Sequence, residues 1–523
     1  MQIEGDEGMA RSSAAASMVL AGIPLGDPPA MTATIETLCV AGIRAFLLPG
    51  GLLGEPELLS GLSASAQRAA AAAGLGRALV ALGGSFVPAF GQPFFPAALT
   101  ALGLAALGSR PAARRSGRAL GEALAACGID LLLGPRLDLA VDPKDPAGIL
   151  DRFGEDPAKV GTYASAFIRG LRASGVESCV GRFPGLGSAI TERAEGLAIV
   201  DLPAERLASV EMRPYASAAR AGAAAVLVGR TLVPSLEPGR IPAARSSRVI
   251  EGRLREGFGF KGLVIGDEAH IEHEIGGTVL LGALAGCDLT LYGIPSEAER
   301  AAKALEEAVA EGRLPAARVA SSMRRLDRFL ASRNGPPRAR AGSADLDRGR
   351  ERIERDRAAS LSILKGDFLR RPEPSLVLVF LPPEDSPESS EIPAVMKALE
   401  AALPETELVA LPADPSPADA QGLMELLSAH GAELAASSAA ALTYDAHFRP
   451  AQEGLARLVE ESVRSFSVIA MRDPYDAAFF PRAYGLAAAY GFTVGAAKAV
   501  ARLLKGSVHP VGECPVGVLG LEV

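Results

Sequence analysis

Tryptophan is missing from the 523 residues, and aromatic side chains make up only 5% of them. Sugar-binding clefts stack pyranose faces on aromatic rings, so this scarcity weighs against an ordinary carbohydrate enzyme. The five cysteines, Cys39, Cys127, Cys179, Cys287 and Cys514, lie far apart and form no CxxC pair. That excludes the usual zinc and thiol-redox spacings and leaves reduced, mostly buried thiols as the simple reading. Positive charge is also in short supply: the net charge is -8 and the pI about 5.5. This balance argues against nucleic acid or an anionic membrane as a partner. The apolar run from Met18 to Pro24 is too short to span a bilayer, and MQIEGDEGMARSS lacks the basic region and long apolar core of a signal peptide. The expected location is the cytoplasm. Five histidines occur, at 270, 273, 430, 447 and 509. His270 and His273 have helical spacing, with Glu272 and Glu274 beside them, but two ligands without a third give no metal site, and no cofactor is expected.

What the chain has in quantity is alanine-rich helix alternating with short apolar runs. Hydrophobic residues are 49% of the sequence, enough for large cores. Strands are predicted at Val19 to Ile23, Ala45 to Leu48, Ala78 to Leu82, Ile129 to Leu133, Ser178 to Val180, Ala224 to Val228, Leu263 to Ile265 and Asp288 to Tyr292. Helices such as Ser63 to Ala73, Ala158 to Ser174, Pro214 to Arg220 and Glu297 to Glu311 fall between them. Eight strand-helix repeats point to an N-terminal (β/α)8 barrel over 13–330, after a frayed 1–12. An open doubly wound sheet would want a glycine fingerprint after its first strand, which Gly22-Ile-Pro-Leu-Gly26 does not supply. Residues 331–374 read as a linker carrying a charged helix, about Asp347 to Leu364, whose RERIERDR run is a solvated face. A smaller three-layer αβα domain is expected over 375–523.

Within the barrel, Lys261 to Glu274 concentrates the interest. Leu263, Val264 and Ile265 suit a buried strand, Gly266 breaks it, and Asp267 and Glu268 follow. A carboxylate at a strand tip can be chemistry, or it can be the N-cap of a following helix.

From Gly128-Ile-Asp-Leu-Leu-Leu-Gly-Pro-Arg-Leu-Asp138 onward, the sequence resembles the family 3 glycoside hydrolases, in particular their bacterial β-N-acetylglucosaminidase branch. The likeness continues at Arg152-Phe-Gly-Glu-Asp-Pro157, Arg182-Phe-Pro-Gly185, Glu256-Gly-Phe-Gly-Phe-Lys-Gly262 and Ala285-Gly-Cys-Asp288. It extends to Arg472-Asp-Pro-Tyr-Asp476, Tyr490-Gly491 and Gly512-Glu-Cys-Pro-Val516, so it covers nearly the whole chain. The resemblance implies a two-domain fold and a retaining mechanism acting on terminal β-linked N-acetylhexosamine or related glycosides. A carboxylate nucleophile and an acid/base group share such a reaction, standing about 5 to 5.5 Å apart when both are carboxyls.

Asp267 matches the family's nucleophile, with Gly266 in place of the preceding serine. The branch's KHFPGHG motif reads Gly181-Arg-Phe-Pro-Gly-Leu-Gly187 here, so its lysine is Gly181 and its first histidine Arg182. The D-x-H that follows falls on Glu192 and Ala194, and a methyl group cannot serve as the acid/base. The D-x-E-G-G motif appears as Val80-Ala-Leu-Gly-Gly84, without its acids. A sugar-binding arginine falls on Asp151, with Arg152 next door as a partial stand-in, and a histidine after the sixth strand falls on Arg230. A replacement acid could come from Glu268, Glu192, Glu195 or the second domain. Arg152, Arg182, Arg230 and Asp138 are the expected ligand-binding groups.

Two readings stay open: a glycosidase with Asp267 as nucleophile, or an inactive homologue binding a small carbohydrate, an anionic ligand or a protein. Arg182 and Arg230 could grip a carboxylate or phosphate by forked hydrogen bonds. Alternatively they pair with Asp267, Glu268 or Asp138 and close a disused pocket.

Overall fold

The computed structural model describes residues 14–83, 99–145, 149–191, 197–268, 274–332, 343–368 and 373–518. Contacts divide the chain into two compact units. The first takes 1–86, 113–139 and 157–340, the second 87–112, 140–156 and 341–523.

The first unit is built on eight strands: β1 (Val19–Gly22), β2 (Ala45–Pro49), β3 (Leu79–Gly83), β4 (Leu131–Arg136), β5 (Glu177–Phe183), β6 (Ala225–Val228), β7 (Leu263–Asp267) and β8 (Leu289–Tyr292). They close in chain order, β8 pairing back onto β1, and every pairing is parallel. Parallel strands covered by helices are buried on both faces, which is why they appear in the sequence as unbroken apolar runs rather than alternating ones. Leu20, Leu79, Leu131, Leu227, Leu263, Ile265 and Leu291 belong to the buried cluster of the barrel. Helix α1 (Ala316–Ala331) adds Leu326, Phe329 and Leu330 to it. Asp288, just before β8, is fully buried and takes ion pairs from Arg255 (2.7 Å) and Arg325 (2.9 Å), with hydrogen bonds from the Ser322 hydroxyl (3.0 Å) and the Val264 amide (3.0 Å). A buried carboxylate is tolerated only when it is paired in this way.

Two expectations change. The charged linker helix, α2 (Ser343–Ser360), stops short of Leu364, because Ser362–Lys365 forms β9, an antiparallel edge strand. Its residues alternate buried and exposed, so a period of two and a sheet partner override helical propensity there. In addition, Asp267 is the last residue of a strand and not a helix cap: the next described helix, Ile275–Ala285, has Glu274 in the cap position.

The second unit contains β9 and five parallel strands: β10 (Leu376–Leu381), β11 (Glu407–Pro412), β12 (Ser438–Thr443), β13 (Ser465–Ala470) and β14 (Gly485–Ala488). The sheet order is β9-β14-β13-β12-β10-β11. Leu102, Ala106, Ala140, Ile149 and Leu150, which precede it in the chain, share its core.

At the C-terminal ends of β12 and β13 lies a buried charged cluster. Asp476 accepts the Thr443 hydroxyl (2.7 Å) and the His447 amide (3.0 Å), and faces the His447 ring nitrogen Nδ1 at 2.7 Å. His447 Nε2 is 3.8 Å from Asp473, whose other oxygen caps the turn at Tyr475 (3.0 Å). Arg472 pairs with Asp445 and lies 3.4 Å from Glu388.

Candidate functional site at the barrel mouth

The C-terminal ends of parallel barrel strands collect side chains from distant parts of the chain, and active sites of this fold sit there. Asp267 ends β7 and is 8% exposed. Arg182, near the end of β5, reaches across and places its Nε 2.7 Å from Asp267 Oδ2. The peptides Gly181-Arg182 and Phe183-Pro184 are both cis. Glu268, the next residue in chain order after Asp267, is 2% exposed and is held by a two-pronged hydrogen bond from Arg245, at 2.9 and 3.1 Å. Burial raises its pKa, against the pull of Arg245 and Arg230.

Asp138, two residues beyond β4, is buried and works as an anchor. It accepts the Leu186 amide (2.7 Å), the Tyr215 hydroxyl (3.4 Å) and two nitrogens of Arg136 (3.2 and 3.1 Å). The Leu186 bond fixes the segment that follows β5, just beyond Arg182. Glu211 accepts the Ser188 hydroxyl at 3.0 Å from the far side of that segment, and burial raises its pKa. Arg230 lies two residues past β6 and is partly buried, close enough to Glu268 to act on its carboxyl.

Arg152 belongs to the second unit, where it is 1% exposed and ion-paired with Asp145. Glu192 and Ala194, with Glu195, lie outside the described residues, as do Gly84 of the glycine pair and His270 and His273. Among the described residues, no three His, Cys, Asp or Glu side chains are grouped to hold a metal ion.

Three participants carried no sequence signal of their own. Arg245 sits in a short turn, Ala243–Arg245, and becomes significant only by facing Glu268. Arg136 was visible beside Asp138 but unremarkable. Leu227 matters because of Gly181: a Cβ there would stand 2.9 Å from the Leu227 Cβ, so apolar packing leaves no room for a side chain at that position. Gly266 is similarly crowded, its Cβ position lying 3.0 Å from the buried Cys287 sulfur.

Residues 49–329, more than half of the chain and spanning β3 to β8, match the model of the glycosyl hydrolase family 3 N terminal domain. The chain belongs to glycosyl hydrolase family 3. A β-hexosaminidase of Xylella fastidiosa is 33% identical over 172 residues, covering 32% of the chain and 50% of the relative. One from Xanthomonas oryzae is 30% identical over 186 residues, covering 34% and 54%. The chain thus spans about half the length of the curated relatives it matches. Among solved structures, a family 3 β-N-acetylglucosaminidase from Paenibacillus aligns over 97% of this chain and 98% of its own, with a TM-score of 0.85 and 24% identity. A fungal multi-domain family 3 β-N-acetylglucosaminidase aligns over 98% and 61%, with a TM-score of 0.83 and 20% identity. At those identities the likeness is one of fold: a family 3 barrel and a second α/β unit.

Proposed function

We propose that this family 3 protein, β-hexosaminidase-like in descent, does not hydrolyse β-N-acetylhexosaminides by the two-step route and instead uses its barrel mouth to bind a small sugar-like ligand. The observation that supports this is the 2.7 Å ion pair between Arg182 and Asp267. A glycosidase nucleophile must present a carboxylate oxygen to the anomeric carbon, and a guanidinium laid against that oxygen both competes for its lone pairs and fills the approach. The second group of the mechanism is lacking in the same direction. Ala194 stands where the family's acid/base histidine falls, and both oxygens of Glu268 are engaged by Arg245. Loss of a positioned acid/base alone lowers the rate by roughly 10²- to 10⁴-fold.

A hydrolase remains the second reading, favoured by the place of Asp267 at the end of β7 and by the activity named for the Xylella and Xanthomonas relatives. It needs Arg182 to swing aside and Glu192 or another acid to protonate the leaving oxygen. An aryl β-N-acetylglucosaminide assay decides between them. The binding reading expects equal, background-level rates from the wild-type chain and Asp267→Ala. Turnover that disappears with Asp267→Ala would overturn it.

A further inference from the structure

We infer that the ligand of the barrel mouth is an acidic monosaccharide, a hexuronate in chemical class, whose carboxylate is received by the terminal nitrogens of Arg182. This rests on the binding reading proposed above and names its ligand.

Arg182 uses Nε for Asp267, and its side chain is nevertheless 47% exposed. Among the described residues the side chain has no partner other than Asp267, while the Arg182 carbonyl accepts the Gly185 amide. An arginine fixed by its Nε presents Nη1 and Nη2 as a planar fork, and two parallel N–H donors match the two oxygens of one carboxylate. Asp267 in this arrangement is a positioning residue: it sets the plane of the guanidinium while the outer edge faces the ligand.

The charge around the site agrees. The ends of β4, β5, β6 and the turn after β6 supply Arg136, Arg182, Arg230 and Arg245, against Asp138, Asp267 and Glu268. Arg136 is taken by Asp138 and Arg245 by Glu268, so these two carboxylates are already neutralised. Glu211, a further acid beside the segment after β5, accepts the Ser188 hydroxyl, and burial raises its pKa.

The neutral-sugar alternative loses its tools at the same place. Gly181 offers no side chain to grip a hydroxyl, and Leu227 fills the space into which one would emerge. A forked, half-exposed guanidinium selects for a carboxylate more than for hydroxyls.

Calorimetric titration of the full chain with D-glucuronate, N-acetylglucosamine, D-glucose 6-phosphate and acetate tests this. Glucuronate should bind at least about tenfold more tightly than N-acetylglucosamine, more tightly than glucose 6-phosphate, and far more tightly than acetate, with an affinity that falls as salt rises. Arg182→Lys keeps a cation beside Asp267 but loses the fork, and should bring glucuronate down to the level of the neutral sugar. Unchanged melting temperatures in both proteins would show that the variant is folded. Equal binding of glucuronate and N-acetylglucosamine overturns the inference, as does a glucuronate preference that survives in both Arg182→Lys and Arg182→Gln. Tighter binding of glucose 6-phosphate overturns the carboxylate in favour of a phosphate. Neither failure touches the non-hydrolysing reading, which falls only to Asp267-dependent turnover of a β-N-acetylhexosaminide.

Discussion

Replacing Asp473 by asparagine should flatten the pH dependence of the second unit's stability. Asp473 is 4% exposed, and burial pushes its carboxyl up from 3.8 to about 7, with Asp476 and Asp445 adding to the rise and His447 opposing it. The folded protein therefore holds a proton that the unfolded chain has already released above pH 4. Stability from this group is complete below the unfolded value and is lost as pH climbs through the folded one. A tenfold change in proton affinity is worth about 1.4 kcal/mol, so Asp473 accounts for a loss of about 4 kcal/mol between pH 4 and pH 8. His447 acts with the same sign. Burial lowers its pKa, but the hydrogen bond to Asp476 and the fields of Asp473, Asp476 and Asp445 raise it more. Its contribution is therefore also present at low pH and lost on the alkaline side. Arg472 faces Glu388 at 3.4 Å in the same cluster. Asparagine keeps an oxygen for the Tyr475 amide, so the cap survives while the titration goes.

Because two units need not unfold together, the measurement should be local: hydrogen exchange of peptides covering 438–479 at pH 5 and pH 8, corrected for intrinsic exchange. Wild type should lose several kcal/mol of opening free energy between the two pH values. Asp473→Asn should lose about 2.7 kcal/mol less over this narrower window, two tenfold steps at about 1.4 kcal/mol each, and be at least as well protected as wild type at pH 8. Parallel behaviour of the two proteins would refute the reasoning.

Two further outcomes concern the barrel. Arg245→Gln leaves Glu268 buried without its cation and should cost about 3–5 kcal/mol in the unfolding of the first unit, most of it recovered in the double variant with Glu268→Gln. A neutral Arg245→Gln would mean that Glu268 is not held by this pair. Gly181→Ala pushes a methyl to 2.9 Å from the Leu227 Cβ and should destabilise by about 1–3 kcal/mol. Gly252→Ala, at a position with nothing within 4 Å, serves as the harmless control in the same melting series.

The sequence by itself determined the barrel. Eight apolar runs buried on both faces left little choice of fold, and all eight strands form at the predicted places, within a few residues at each end. It also located Asp267, because a short apolar strand ending in a carboxylate is visible as a pattern. What it could not determine was the partner of that carboxylate. Arg182 was one of several candidates for opposing charges, and only closure of the sheet, with β5 and β7 on either side of β6, brings it to Asp267. Arg245 was not a candidate at all, since nothing in its neighbourhood marks it until it meets Glu268. Arg152 stands out in the sequence only through its motif, and the fold buries it beside Asp145 in the second unit. Ser362–Lys365 likewise read as the end of a helix until β14 gave it a sheet partner. Periodicity and burial are local properties that a chain writes along its length. Ion pairs and edge strands depend on which distant segments the fold brings together, and that is decided only in three dimensions.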